Sequence, residues 1–166
     1  MHLDETEFLD DVLLFEFETF LFQVQSTLDI FFHFLELFYP SIDSIGFKGE
    51  RGCAGKKTIK TIKKDDEHIA VYIKGEVSLW IQRLYDLRNR VAHRERVKEM
   101  EMFLIDNEGI HLPKIKDHDM DILSYCEETY ENLKKFIFHI EEAFLLKKAK
   151  HFFQKSISGE QTKITR

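Results

Sequence analysis

Hydrophobic positions divide the chain into three long helical segments separated by polar stretches. The first segment, Glu5 to Phe38, is apolar almost all round, which is typical of a helix buried on more than one side. One broad apolar side is predicted to carry these residues: Phe8, Val12, Phe15, Leu21, Leu28, Phe31, Leu35 and Phe38. In a chain this small, the second buried side is expected to meet a partner subunit. The pair Tyr39-Pro40 ends the helix, because a residue before proline avoids helical backbone angles.

The second segment begins at Asp65 or Asp66, either of which can cap a helix, and runs to about Glu95. Its apolar residues recur at steps of three and four, which predicts one core-facing stripe: Ile69, Ile73, Val77, Trp80, Leu84, Leu87 and Val91. The preceding residues 40–64 form a Gly-rich and then Lys-rich connector, for which the pattern predicts no regular structure.

The third helix is predicted from a cap within 117–121 to about Phe153. Before it, alternating apolar residues flank a turn at 106–109, which predicts a short hairpin. The predicted fold class is therefore all-α: an up-and-down bundle of three to five helices with a small β-hairpin near 100–112. We expect a single domain over residues 1–154, followed by a polar, flexible tail over 155–166.

Composition agrees with one helical domain that folds without metals or disulfides. Of the 166 residues, 43% are hydrophobic, and only 7 Gly and 2 Pro are present, too few for a fold with many tight turns. The two cysteines are expected to be reduced thiols. The acidic N-terminus does not resemble a signal peptide, and acids interrupt the Phe-rich first segment. We therefore expect a cytoplasmic protein that does not enter a membrane.

Charge is distributed unevenly along the chain, although the net value is only −6. Residues 1–47 contain ten acids and no Lys or Arg, whereas residues 48–64 contain seven bases and one acid. Six more bases follow between Arg83 and Lys98. Such asymmetry creates a local positive field, which is what phosphate binding requires.

The end of the second helix carries the candidate site. At helical spacing, Gln82, Asp86, Asn89 and His93 share one polar face. Arg88 lies elsewhere and leans toward the apolar stripe, where an arginine needs an anion because it cannot lose its charge. About 140° separates Arg88 from His93 on one helix, so two copies apposed across a two-fold axis would bring these groups together better than one copy.

The run Leu87 to His93, "LRNRVAH", resembles the signature of the HEPN superfamily, in which an arginine and a polar residue precede a histidine. The resemblance implies a helical bundle that dimerises and often acts as a metal-independent endoribonuclease in toxin–antitoxin and phage-defence systems. It implies catalytic roles for Arg88, Asn89 and His93, with RNA as substrate and an antitoxin or regulatory protein as a possible further partner. The position two residues past the histidine is Glu95, not the tyrosine that one subgroup modifies.

Histidine and arginine suit this chemistry. A histidine can move the protons of the 2′-hydroxyl and the leaving 5′-oxygen, and an arginine matches the charge that develops on phosphorus. The products would carry 2′,3′-cyclic phosphate ends, and we expect neither a metal nor a cofactor. The remaining bases of the two positive regions are candidates for binding RNA: Arg83, Arg90, Arg94, Lys56, Lys57 and Lys60.

Several simpler interpretations stay open. Arg88 can instead pair with Glu16 or Glu18 of the first helix, and His93 can be a histidine favoured by a helix end. The chain can also be a catalytically inactive HEPN-like module that binds RNA, a nucleotide or a protein. A third alternative is a helical interaction protein whose Phe-rich helix docks on a different protein.

Overall fold

A computed structural model describes residues 3–39, 55–92, 104–106, 109–115 and 120–161. In these ranges the chain is an all-α helical bundle with a small β-hairpin, as predicted. The chain divides into two compact units, Met1–Leu133 and Lys134–Arg166. The prediction of one domain over 1–154 with a flexible tail stays a prediction.

Helix α1 spans Leu3–Glu36. Its C-terminal end lies close to the predicted end at Phe38, and the Tyr39 amide still donates to the Leu35 carbonyl oxygen at 3.0 Å. The buried side of α1 contains Leu21, Leu28, Phe31 and Leu35 as predicted, but it departs from the prediction at Val12 and Phe15, which are exposed. Phe17 and Val24 are buried, whereas Phe15 is 64% exposed. The sequence could not fix this side, because a helix with phenylalanines all round has no polar face to set its rotation.

Asp66 joins the next two helices, α2 (Lys56–Asp65) and α3 (Glu67–Glu76). The Lys-rich part of the connector, for which no structure was predicted, thus forms a helix. The Asp66 carboxylate accepts a hydrogen bond from the Ile69 amide at 3.2 Å, which makes Asp66 the cap of α3. The same carboxylate accepts a bond from the Tyr39 hydroxyl at 3.2 Å, and so ties the end of α1 to this junction.

Replacing Asp66 with alanine should lower the free energy of unfolding by about 2 kcal/mol, because it removes a helix cap and a part-buried hydrogen bond together. Asp65 is the matched control, since it is exposed and does not cap α3. Asp65→Ala should change stability by less than about 0.5 kcal/mol. Urea unfolding of both variants checks this expectation, and equal losses would contradict it.

The second predicted helix is present but contains a turn that the sequence pattern did not reveal. After α3, a π-helical turn spans Val77–Ile81, and α4 follows over Gln82–Ala92. The Gln82 amide donates to the carbonyl oxygen of Val77, five residues earlier, as a π-turn requires. The predicted apolar stripe is buried except for Trp80, which lies in the π-helical turn and is only half-buried.

Two short antiparallel pairs precede the last helix. Strands β1 (Leu104–Asp106) and β2 (Gly109–His111) pair Ile105 with Ile110, which confirms the predicted hairpin. Strands β3 (Lys114–Ile115) and β4 (Met120–Asp121) form a second pair that was not predicted.

The last helix, α5, spans Ile122–Gln161, eight residues beyond the predicted end at Phe153. The Asp121 carboxylate accepts the Ser124 amide at 2.9 Å, so the cap lies within the predicted 117–121 range. Within the unit Lys134–Arg166, Phe136, Ile140 and Phe144 are buried at helical spacing.

Candidate functional site

Arg88 lies where α4 packs against α1, and its guanidinium is held on two sides. Its Cζ atom lies 4.1 Å from the centre of the Phe22 ring, which is a cation–π contact. Its Nη1 donates to the Asn89 side-chain oxygen at 3.1 Å. Its Nε is buried and has no hydrogen-bond partner among the described residues. The leaning of Arg88 toward the apolar stripe is thus confirmed. Within the described ranges it forms no ion pair with Glu16 or Glu18.

A buried polar pair adjoins Arg88 on the same helix interface. The Tyr85 hydroxyl donates to the Asp29 carboxylate at 3.0 Å. Burial raises the pKa of Tyr85 far above its usual value, the Asp29 charge adds to this rise, and the positive charge of Arg88 opposes it. Tyr85 is therefore a neutral hydrogen-bond donor at pH 7.

Within the polar face predicted on α4, Asp86 and Asn89 are exposed and Gln82 is half-buried. Gln82 donates to the Asp86 carboxylate at 2.9 Å on the helix surface, and Asn89 is exposed one turn further. The amide of Asn89 therefore reaches from this face to the guanidinium of Arg88. His93 lies outside the described residues, one position past the end of α4.

An open apolar groove runs along the outer face of α1. Its volume is about 820 Å³, and α1 alone lines it: Phe15, Glu18, Thr19, Phe22, Gln23, Ser26, Thr27 and Ile30. Ile30 is 70% exposed, so the groove leaves large apolar side chains open to water. Phe22 belongs both to this groove and to the contact with Arg88. The guanidinium therefore lies on a residue that also lines the groove.

The predicted RNA-binding residues fall on two elements. Arg83 is exposed and Arg90 half-buried on α4, whereas Arg94 lies outside the described part of the chain. Every lysine of α2 is exposed: Lys56, Lys57, Lys60, Lys63 and Lys64. Lys63 pairs with Glu67 at 3.3 Å, a contact between two exposed side chains that adds little stability.

The described ranges hold no group of three or more His, Cys, Asp or Glu side chains placed to bind a metal ion. No helix in these ranges is long and apolar enough to span a membrane. Cys126 is a free thiol, and burial raises its pKa to about 11, which makes it a poor nucleophile at pH 7.

Sequence reasoning missed two features near the site. Phe22 carries no signal that separates it from the other phenylalanines of α1, so its contact with Arg88 could not be predicted. The π-helical turn was also missed. Trp80, which its spacing assigns to the core stripe, lies in this turn and is only half-buried.

Comparison with known proteins adds no family to these observations. No family model matches the chain, and neither the curated proteins nor the solved structures contain a match. The resemblance to the HEPN superfamily therefore rests on Arg88, Asn89 and His93 and on the helical fold.

Proposed function

We propose that this chain is a metal-independent endoribonuclease of HEPN type that acts as a toxin or as a defence or stress effector. Its active site combines Arg88, Asn89 and His93 from both protomers of a homodimer. The observation that carries the proposal is the position of Arg88, a half-buried cation over the ring of Phe22, which also lines the open apolar groove.

The environment of Arg88 favours an anionic ligand. The guanidinium is oriented by Phe22 and Asn89, and neither of these side chains neutralises its charge. A buried Nε without a partner is costly unless something accepts its proton. A phosphate oxygen is a strong acceptor for guanidinium groups, so an RNA phosphate would complete this hydrogen-bonding set.

The groove on α1 supports the homodimer. Large exposed apolar side chains on a helix face are typical of a surface that a partner covers. In a two-fold dimer each protomer contributes the same patch, so an interface on this groove would bring two Arg88 side chains toward one another. Both signatures would then contribute to one composite site, in which residues from two copies could meet despite the roughly 140° that an ideal helix would place between Arg88 and His93.

The reaction uses the nucleophile that RNA carries. His93 of one protomer removes the 2′-hydroxyl proton, and the 2′-oxygen forms a bond to phosphorus. The bond from phosphorus to the 5′-oxygen breaks, and the leaving oxygen takes a proton from the partner's His93. Arg88 stabilises the additional negative charge on the phosphoryl oxygens. The products are a 2′,3′-cyclic phosphate and a free 5′-hydroxyl.

Purified protein should therefore cut single-stranded RNA in excess EDTA at the same rate as in Mg²⁺. The 2′-deoxy version of the same sequence should stay intact, because it lacks the nucleophile. Mass spectrometry of the fragments should find the cyclic phosphate. Loss of cutting in EDTA would contradict the mechanism, and a dimer that does not cut RNA would favour the inactive RNA-, nucleotide- or protein-binding module.

A further inference from the structure

We infer that a small polar cleft beside the π-helical turn binds a single unpaired nucleobase, with the attached phosphate on Arg83. The cleft is separate from Arg88 and has a volume of about 130 Å³. Two walls form it: Leu79, Trp80 and Arg83 on one side, and Met120, Tyr125, Glu128, Thr129 and Asn132 on the other. The inference rests on the proposed function in one respect, namely that RNA is the substrate.

The π-helical turn builds the first wall. A π-turn inserts one residue into a helix, weakens its hydrogen bonding, and is often found at functional sites. Here it turns Trp80 away from the buried stripe to which its spacing assigns it. The indole N–H donates to the Glu76 carboxylate at 2.7 Å, so the ring is fixed in orientation before any ligand arrives. A fixed aromatic ring can stack on a base at little entropic cost.

The second wall supplies hydrogen-bonding groups at helical spacing. Glu128 and Asn132 are one turn apart on α5, and the buried Thr129 lies between them. A carboxylate accepts hydrogen bonds, an amide both donates and accepts, and this combination matches the mixed edge of a nucleobase. A purely apolar ligand would make no use of the Glu128 and Asn132 side chains, whereas the Thr129 side chain already has a hydrogen bond with Tyr125.

Opposite charges lie on the two walls of the cleft, with Arg83 on the first wall and Glu128 on the second. Burial raises the pKa of Tyr125 to about 12, while the charge of Glu128 raises it and that of Arg83 lowers it, so both charges lie near this phenol. In the described ranges Arg83, Glu128 and Asn132 form no hydrogen bond or ion pair with one another. Arg83 is exposed at the rim, where a phosphate attached to the bound base would lie.

Size restricts the ligand to about one base. Pockets for drug-sized molecules occupy about 300–1,000 Å³, and this cleft is well below that range. Single-stranded RNA is commonly recognised one base at a time, by stacking on an aromatic side chain and hydrogen bonding to the base edge. A free mononucleotide has the same chemistry, so the experiment must separate these two sources.

Trp80 is the only tryptophan in the chain, so tryptophan emission, excited at a wavelength that tyrosine does not absorb, reports on this cleft alone. The probes are nucleoside 5′-monophosphates and a short single-stranded 2′-O-methyl RNA, which cannot be cut because its nucleophile is blocked. Saturable quenching of Trp80 by either probe is expected. Tighter binding of the oligonucleotide identifies RNA as the ligand, whereas equal or tighter binding of the monophosphate identifies a free nucleotide.

Two variants test the assignment of the residues. Arg83→Gln should weaken binding of the quenching probe about tenfold, whereas Lys74→Gln, which removes an exposed charge from α3 outside the cleft, should leave it unchanged. Asn132→Ala should weaken binding by a similar factor. The inference is overturned if neither probe gives saturable quenching, or if Arg83→Gln and Lys74→Gln weaken binding equally.

The outcome is independent of the nuclease assay. If the 2′-O-methyl oligonucleotide quenches Trp80 but its 2′-hydroxyl counterpart is not cut, the proposed nuclease function is refuted and the assignment of this cleft as a base-binding site still holds. If RNA is cut but the fluorescence of Trp80 does not change, base binding in the cleft is refuted and the proposed nuclease function still holds.

Discussion

Replacing Arg88 with alanine should lower the rate of RNA cleavage by about 10²–10³-fold, the loss typical of removing one group that stabilises charge in the transition state. Removal of the guanidinium also removes the contact with Phe22, which contributes about 0.5–1 kcal/mol of stability. The fold should survive this loss, so activity and stability should separate. His93→Ala should lose activity by a comparable factor because it removes the group that moves the protons.

Arg88→Lys distinguishes a catalytic arginine from a mere positive charge. A lysine keeps the charge but lacks the planar fork that matches two phosphate oxygens, and it cannot lie flat on the Phe22 ring in the same way. We expect this variant to remain at least tenfold slower than wild type. Lys74→Ala, which removes an exposed charge on α3, is the matched control and should cut normally. Rates are measured on one RNA in EDTA, with unfolding curves for each variant. Normal cutting by Arg88→Ala would remove this residue from the active site.

Phe22→Leu examines the same site without touching the motif. It keeps the volume of the position approximately but removes the π-face under the guanidinium. A catalytic role for the orientation of Arg88 predicts a lower kcat with little change in KM. A purely structural contact predicts a loss of stability with unchanged kcat.

The sequence predicted best those features that depend on local spacing. The stripe from Ile69 to Val91, the cap at 65 or 66 and the hairpin turn each depend on residues a few positions apart, and the structure contains them. The inclination of Arg88 toward the core followed from the same spacing, since it is four residues past Leu84. These features need no knowledge of what packs against them.

The features that were not predicted depend on contacts between distant segments. Asp29 and Tyr85 are 56 positions apart, and nothing in either neighbourhood indicates their hydrogen bond. The rotation of α1 about its axis has the same origin. Phe15 and Phe17 look alike in the sequence, and only packing against other helices decides which of them is buried. The π-turn follows from packing as well, since no residue within Val77–Ile81 disfavours an ordinary helical turn strongly enough to predict it.

Phe17 and Phe15 provide the second large expected effect, because they are identical residues on one helix with opposite environments. Phe17 is 2% exposed and meets the Tyr125 ring edge-on, with 5.9 Å between ring centres. Phe17→Ala should lower the free energy of unfolding by about 3–5 kcal/mol, the usual cost of removing a buried phenylalanine. Phe15→Ala should cost less than about 0.5 kcal/mol within a single protomer, since Phe15 lies in the open groove.

The same pair also tests the homodimer, because dimerisation adds a stability that depends on protein concentration. For the wild type and for Phe17→Ala, the unfolding midpoint should rise with concentration. For Phe15→Glu, which places a charge in the groove, that dependence should disappear and sedimentation should find a monomer that is still folded. A Phe15→Glu protein that remains dimeric would place the interface elsewhere and remove the link between the groove and Arg88. A monomeric Phe15→Glu protein that no longer cuts RNA would instead connect the apolar face of α1 to a site built from two copies of Arg88 and His93.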